Sequence, residues 1–364
     1  MLKFGVVGVG NRGGHLADLL QAMEDVELTA VCDPYADKMD RFESAKKYTD
    51  YKEMFANEKL DRVIVATSWD THIKIGVEAM EHGVWPALEC GGASSVDECW
   101  RLVRASEKTG IPCMFLENCN FGREEMTLLR MVQQGVFGEI VHVQGAYEHD
   151  CRSLFLIATD RTGYRGFNLY HRNGEFYPAH ELGPIMKYLN INRGNRMLTL
   201  TSMASKPNPD MLGVVQGAIV NTLIKCAHGE TILLTIDTTL PRPYSRGARI
   251  QGTKGIYMED KNAIYIEGLS PNHDEWESFN KYLDDPAYEH PVWTSYRTDG
   301  IKGGHGGMDY LVLRAFIEDE TPFLDVYDAA TLKVITILSE ESIAMGGKPV
   351  PIPDFTDGKW IKRA

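Results

Sequence analysis

The chain has 364 residues, 43% of them hydrophobic, and a formal net charge of −13 at pH 7. That length and apolar content fit two globular domains with real cores. The acidic balance, with no basic tract, argues against nucleic acid and anionic membrane surfaces as partners.

The first apolar run, Lys3–Gly8, reads as a strand and flows into Gly8-x-Gly10-x-x-Gly13. A helical stretch over Gly14–Met23 follows, and a second strand, Glu27–Cys32, ends at Asp33. A glycine triplet between strand and helix, with an acid closing the next strand, points to a dinucleotide site. Gly8 permits the tight turn, Gly10 lets the backbone approach a pyrophosphate, and Gly13 lets helix and strand pack closely. The amides of a helix starting near Asn11 then face the phosphates. Asp33 would accept from a ribose 2′-hydroxyl and repel a 2′-phosphate, which favours NAD over NADP. The alternative is a glycine-rich turn that serves packing alone.

The alternation continues with strands at Arg62–Thr67, Trp85–Leu88 and Pro112–Leu116, and helices at Ala36–Lys47, His72–His82 and Val96–Thr109. This is the pattern of a Rossmann-type doubly wound parallel sheet, spanning residues 1–120. Residues 121–364 read differently, as an α+β domain. A helix at Glu124–Gln134 precedes strand-like runs at Ile140–Glu148, Val215–Ala227, Thr231–Thr239, Ala248–Gln251, Gly255–Glu259 and Ala263–Glu267. The turns His228-Gly229 and Thr253-Lys254-Gly255 join neighbouring runs as hairpins. An open, mainly antiparallel sheet is expected, with helices on one face and an oligomer contact on the other. Helices at Met308–Asp319 and Val326–Met345 close the pattern. The stretch Cys151–Arg196 has poor periodicity, and a long irregular segment in a compact domain is usually functional.

Seven cysteines (Cys32, Cys90, Cys99, Cys113, Cys119, Cys151 and Cys226) occur without a Cys-x-x-Cys pair. Reduced thiols in a reducing compartment are expected, with neither a disulfide framework nor a metal site. With no signal peptide and no membrane-length apolar run in the sequence, a cytoplasmic protein is expected.

Three places gather polar residues that a core would not want. Leu88-Glu89-Cys90-Gly91-Gly92 and Leu116-Glu117-Asn118-Cys119-Asn120-Phe121 end neighbouring strands, where open α/β sheets bind ligands. For Glu89 and Asn118 the alternative is capping of the next helix. Thr67, Trp69 and His72 lie at another strand-to-helix junction, with His72 placed toward the nicotinamide side. The third place is His171 to His180, where Tyr177-Pro178-x-His180 stands out. A helix beginning near Pro178 puts Tyr177 and His180 one turn apart, and such a pair suits acid–base work on a hydroxyl. Equally, the two could be hydrogen-bonded core residues. Tyr147-Glu148-His149-Asp150 could reach a sugar, or simply end a strand. His15 reads as structural, and His82 and His290 as surface residues.

These residues resemble the glucose-fructose oxidoreductase/inositol dehydrogenase family. The likeness covers the glycine loop, Ala66-Thr67-Ser68-x-x-x-His72, the Glu89 strand and His305-Gly306-Gly307-Met308-Asp309. Ordinary dehydrogenases of that family carry Glu-Lys-Pro where this chain has Glu89-Cys90-Gly91. The chain is more similar to glycoside hydrolase family 109, through Gly10-Asn11-Arg12-Gly13, Glu117-Asn118, Gly145-Ala146-Tyr147-x-His149-Asp150, Arg172-Asn173-Gly174-x-x-Tyr177-Pro178-x-His180 and Pro241-Arg242-Pro243-Tyr244-Ser245-Arg246. It departs from that family at Cys90-Gly91-Gly92, where Val-Pro-Ala is usual. The resemblance implies an NAD-dependent glycosidase of the α-N-acetylgalactosaminidase kind with retained cofactor. It implies transient oxidation at sugar carbon 3, elimination, water addition and re-reduction. It makes Tyr177 and His180 catalytic. Gly8, Gly10, Asn11, Arg12, Gly13, Asp33, Thr67, Trp69, His72, Glu89 and Asn118 would hold the cofactor; Glu117, Tyr147, His149 and Tyr244 would bind substrate. A plain NAD-dependent sugar or inositol dehydrogenase and a non-catalytic NAD- and sugar-binding sensor are the rival readings.

Overall fold

A computed structural model describes residues 1–157, 163–299 and 304–363. The chain divides into two compact units, one of Met1–Asn118 with Gly300–Ala330, the other of Cys119–Asp299 with Thr331–Ala364. The expected boundary near residue 120 therefore omits a return: Gly300–Ala330, deep in the expected second domain, folds with the first unit.

In the first unit β1 (Leu2–Val7), β2 (Val26–Cys32), β3 (Lys46–Tyr48), β4 (Arg62–Val65), β5 (Trp85–Leu88) and β6 (Met114–Phe115) form one sheet in the order β3-β2-β1-β4-β5-β6. Every pairing in it is parallel. The central strands β1, β4 and β5 are almost continuously buried, as a parallel sheet covered on both faces requires. α1 (Asn11–Gln21), α2 (Tyr51–Asn57), α3 (His72–Glu81) and α4 (Val96–Thr109) connect them. The order reverses between β1 and β4, so the crevice above their carboxyl ends is the natural ligand position. The returning segment carries α11 (Met308–Glu318), whose Phe316 packs edge-on to Phe4 and Trp85, at 5.7 and 5.6 Å between ring centres. Beyond it, Leu324 accepts a hydrogen bond from the Phe115 N–H at 2.9 Å.

The helix expected over Ala36–Lys47 does not form. A single 3-10 turn, Ala36–Met39, leads through further turns into β3. The buried residues of this stretch, Met39, Phe42 and Ala45, recur every third position. Successive turns bond Phe42 N–H to Met39 C=O and Ala45 N–H to Phe42 C=O, and so satisfy the same spacing. Pairing of β3 with β2 then outweighs local helix propensity.

In the second unit α5 (Arg123–Gln133) precedes β7 (Ile140–Glu148), and α6 (Arg152–Ile157), α7 (Tyr164–His171) and α8 (Ala179–Tyr188) occupy the stretch expected to be irregular. β8 (Met197–Ala204), unassigned from sequence, joins β9 (Ile219–Cys226), β10 (Thr231–Asp237), β11 (Arg249–Gly252), β12 (Gly255–Met258), β13 (Ala263–Ile266), β14 (Glu277–Ser278) and β15 (Val350–Pro351). They form one nine-stranded sheet in the order β14-β13-β12-β11-β7-β10-β9-β8-β15. All its pairings are antiparallel except β7 with β10. α9 (Asn280–Leu283), α10 (Pro291–Asp299) and the long α12 (Val326–Ala344) complete the helices. β9 alternates strictly, with Val220, Thr222, Ile224 and Cys226 inward and Asn221, Leu223 and Lys225 outward. All seven cysteines are buried thiols outside any disulfide. No helix among the described residues is long and apolar enough to cross a membrane.

Candidate active site

Backbone geometry dominates the first unit's contribution. Gly8 has φ +87°, and a Cβ there would stand 2.7 Å from the Ala66 carbonyl oxygen. A Cβ on Gly13 would lie 1.8 Å from the Gly8 oxygen, so strand and helix meet with no room for any side chain. At Gly10 a Cβ would meet nothing within 4 Å. The chain's own packing therefore does not explain that glycine, whereas close approach of a bound group does. Gly10 is also the N-cap of α1, gives no side-chain cap, and is followed by a first turn without acidic residues. The exposed N-terminal amides and dipole of α1 suit an anion. Asp33, 4% exposed, accepts from the Val9 N–H at 3.1 Å through Oδ2 and from the Tyr35 N–H at 3.0 Å through Oδ1. The two bonds fix the carboxylate beside the glycine loop and leave each oxygen a second acceptor position. These features fit a dinucleotide with a free ribose 2′-hydroxyl.

Around this cradle the other expected residues take definite places. Thr67 bonds Thr71 hydroxyl to hydroxyl at 2.7 Å, and buried His72 sets Nε2 3.0 Å from the Thr67 carbonyl. Trp69 opens a 3-10 turn, and a Cβ on Gly91 would lie 2.3 Å from its indole. Ser95 rather than Glu89 caps α4, and Gly122 rather than Asn118 immediately precedes α5. Glu89 and Asn118 instead join an ionic cluster centred on the buried carboxylate of Asp309. Arg12, from the glycine loop, reaches Glu89 Oε1 at 2.8 Å and Asp309 Oδ2 at 2.7 Å. Asn118 donates to Asp309 Oδ1 at 2.8 Å, and His15 and His305 approach Oδ2 at 3.2 and 2.8 Å. Burial opposes the Arg12 charge, but Glu89 and Asp309 more than offset it. Burial likewise works against the Asp309 carboxylate; His305 and Arg12 override it and hold the group well below the usual range. His15, read from sequence as structural, stands against the Asp309 carboxylate. Sequence reading misses this cluster because Asp309 lies 191 residues from Asn118 and is brought back by the returning segment.

The second unit contributes side chains. Tyr177 ends the loop before α8 and His180 lies in its first turn, their ring centres 4.9 Å apart and nearly perpendicular. Tyr147, near the end of β7, places its ring 4.7 Å from Tyr177 and 5.6 Å from His180. Its hydroxyl is 3.1 Å from His149 Nδ1. Half-exposed Tyr244 stands edge-on to His149 at 5.2 Å and to Tyr147 at 6.3 Å. The four rings first paired by motif thus gather with Tyr244 in one cluster. Burial raises the Tyr147 phenol against the opposing Arg165, so it stays a protonated donor. Burial, with Arg165, lowers the His149 imidazole and keeps it neutral.

Arg165 is the residue sequence reading overlooks. From α7 its guanidinium sits over the Tyr177 ring at 5.6 Å and the Tyr164 ring at 5.4 Å, and Nε donates to the Tyr164 hydroxyl at 3.1 Å. Burial opposes its charge, yet the surrounding phenols keep it a permanent cation. Its only sequence signal is an arginine in the aperiodic stretch. Glu117, expected to bind substrate, is buried beyond β6 in the first unit.

The segment before Tyr177 is tightly held. Gly174 exchanges two hydrogen bonds with the Gln216 carboxamide at 3.1 and 2.9 Å, and Arg172 forks onto Glu340 at 2.6 and 2.8 Å. Glu175 is fully buried, and its N–H donates to Ser339 Oγ at 2.8 Å. Burial pushes its carboxyl up to about 8, opposed by the Tyr177 N–H that Oε1 accepts at 3.4 Å.

Comparison with known proteins agrees with both halves. Residues 2–116 match the oxidoreductase family NAD-binding Rossmann fold, and residues 121–362 match the glycosyl hydrolase 109 C-terminal domain. An α-N-acetylgalactosaminidase of Tannerella forsythia is 37% identical over 415 residues, covering 100% of this chain and 88% of its own. A glycosyl hydrolase family 109 protein of Shewanella sp. (strain W3-18-1) is 38% identical, covering 99% and 86%. An oxidoreductase from Agrobacterium radiobacter, solved with NAD+, L-tartaric acid and magnesium, superimposes with TM-score 0.72 at 17% identity, over 96% of this chain and 98% of that one. That likeness concerns the fold alone.

Proposed function

The chain belongs to glycosyl hydrolase family 109, and from that premise we propose how its residues serve an NAD-dependent glycosidase. The substrate class we assign is an α-N-acetylgalactosaminide, the class in the name of the Tannerella relative. The observation that carries the reading is the convergence of Tyr147, His149, Arg165, Tyr177, His180 and Tyr244 from four separate segments of one unit.

The glycine loop, the α1 amides and Asp33 hold NAD. Bound NAD supplies a reversible oxidation at sugar carbon 3, which makes the carbon 2 proton acidic and allows the carbon 1 substituent to leave by elimination. Tyr177 and His180 take and return protons at carbon 2 and at the carbon 3 hydroxyl. One phenol and one imidazole in ring contact supply two groups of different chemistry, each able to donate or accept a proton. Arg165 lowers the cost of negative charge developing beside Tyr177, as a fixed cation in a poorly hydrated place should. The Tyr147 hydroxyl and the His149 imidazole, in hydrogen-bond contact, together orient sugar hydroxyls, and half-exposed Tyr244 offers its ring to the sugar face. This scheme needs no pair of catalytic carboxylates. Outward-facing Leu223, with Met203 on the neighbouring β8, also favours self-association through the second sheet.

The test is hydrolysis of a nitrophenyl α-N-acetylgalactosaminide in deuterium oxide. Nitrophenol should accumulate over many turnovers while the reduced-nicotinamide absorbance stays flat, and carbon 2 of the product should carry deuterium. Stoichiometric NADH would make the protein a dehydrogenase. Hydrolysis without label would exclude elimination.

A further inference from the structure

Tyr244 differs from the rest of its cluster in its exposure and in lying on the loop between two strands. Its segment, Pro241 to Ala248, lies between β10 and β11, and the residue is 48% exposed. An exposed aromatic on a loop keeps one orientation only if the loop is fixed. Pro241 and Pro243 fix two φ angles on the near side. The remaining restraint comes from outside the segment.

Ser245 forms an antiparallel bridge with Glu148, its N–H donating to the Glu148 carbonyl at 2.9 Å and its carbonyl accepting at 3.1 Å. A Cβ on Gly247 would stand 2.8 Å from Ala146 Cβ, so the backbone lies directly on β7. The Ser245 hydroxyl donates to Asp260 at 2.6 Å, and Glu259 accepts from the N–H groups of Arg246 and Ala248 at 3.3 and 2.8 Å. Two arginines then pin the segment on both sides of Tyr244. Arg242 reaches Glu148 at 2.5 Å and Asp237 at 3.5 Å. Arg246, its side chain 14% exposed, reaches Glu125 on α5 at 2.5 Å. Burial pushes the Glu125 carboxyl up to about 7 against this arginine. The acids cost desolvation to keep where they are, and what they hold is a loop with one exposed aromatic at its centre.

We propose that Arg242 and Arg246 are positioning residues: through Glu148 on β7, Asp237 on β10 and Glu125 on α5 they lock the 241–248 segment in place and so set the Tyr244 ring against Tyr147 and His149. The proposal rests on the reading of Tyr244 as a sugar contact. The lock acts on binding rather than on proton transfer, because neither arginine belongs to the Tyr177–His180 pair.

Arg246 is too enclosed to remove without stranding the Glu125 charge, so the test uses Arg242, whose side chain is 24% exposed. Wild type, Arg242→Gln, Tyr244→Ala and the double variant are compared by aglycone release and by amide hydrogen exchange of the NAD-loaded protein. Arg242→Gln should raise KM about tenfold with kcat nearly unchanged, the pattern of lost uniform binding. The double variant should be no worse than Tyr244→Ala, since two changes that act through one group do not add. Exchange at Ser245 to Ala248 should quicken about tenfold in Arg242→Gln, about 1.4 kcal/mol of lost local protection. Unchanged exchange would overturn the lock whatever the kinetics. Kinetic effects that multiply in the double variant would overturn the route through Tyr244. Faster exchange with a kinetically silent Tyr244→Ala would overturn the sugar-contact reading and leave the lock standing.

Discussion

The glycine loop of the first unit and the Tyr–His cluster of the second are built in opposite ways. The loop works through what is missing. Gly8 and Gly13 have no Cβ because the chain itself leaves no space, and Gly10 has none although space is open. Its donors are backbone amides at fixed spacing, and its one diagnostic side chain, Asp33, closes the next strand. The cluster works through what is present: two phenols and an imidazole in mutual contact, a guanidinium over one of them, and a third phenol on a strapped loop. A site made of backbone is written in consecutive residues. A site made of side chains is assembled by the fold from whatever segments reach it.

That difference sets what the sequence discloses. Asp33 is legible because strand, turn and helix are local, and the acid must fall at the next strand's end. Tyr177 and His180 are legible because one turn of helix joins them, although the spacing alone cannot tell an acid–base pair from a packed one. Arg165 is not legible: nothing in the sequence says that α7 will bring it over Tyr177. Asp309 is legible as a motif but not as the centre of the Arg12–Glu89 cluster, since that depends on Gly300–Ala330 folding with the first unit. The parallel sheet follows from its alternation. β8 does not, because Met197–Ala204 mixes exposed Leu198 and Met203 with a bulge that breaks the period of two.

If the second unit carries the proton chemistry, its variants should separate cleanly from those of the loop. Tyr177→Phe and His180→Ala should each lower turnover about a hundredfold or more, the usual loss for a general acid or base. NAD content and the melting temperature should hold. Near-normal turnover in either variant would remove that residue from the mechanism. Activity that fell only in step with folding would make the pair part of the packing.

The loop predicts a smaller effect and a contrast between neighbours. Gly13→Ala should destabilise the NAD-free protein, because the new methyl would sit on the Gly8 carbonyl. Gly10→Ala should leave its melting temperature unchanged yet weaken NAD by about tenfold or more, a loss of the kind that follows when a ligand is held off the backbone. Asp33→Ala should weaken NAD and reduce the preference over NADP. Calorimetric titration with both dinucleotides measures all three. Equal loss of NAD-free stability at Gly10 and Gly13, or tighter NADP binding by the unaltered protein, would break the distinction between packing glycine and ligand glycine.

The smallest effect concerns Glu175, which sharpens the comparison because the loop holds no buried acid of this kind. It precedes Tyr177 by two residues, and its Oε2 has no hydrogen-bond partner among the described residues. A carboxylate there would leave a full charge unsatisfied, so burial favours the protonated form and pushes the group up to about 8. The folded state therefore holds this proton more tightly than the unfolded chain does. Its contribution is greatest below the ordinary glutamate range and is lost as pH rises from that range through about 8. Glu175→Gln supplies a neutral group of the same shape, with a carbonyl oxygen for the Tyr177 N–H. The variant should lose less melting temperature than the wild type between pH 5 and pH 8, with the difference growing toward the alkaline end. Turnover near neutrality should be almost unchanged, since the residue holds the backbone beneath Tyr177 and exchanges no proton with the sugar. Parallel melting curves for the two proteins across that range would show that Glu175 is ionised in the fold. The desolvation argument for this segment would then fail, while the assignment of Tyr177 and His180 would stand on its own kinetics.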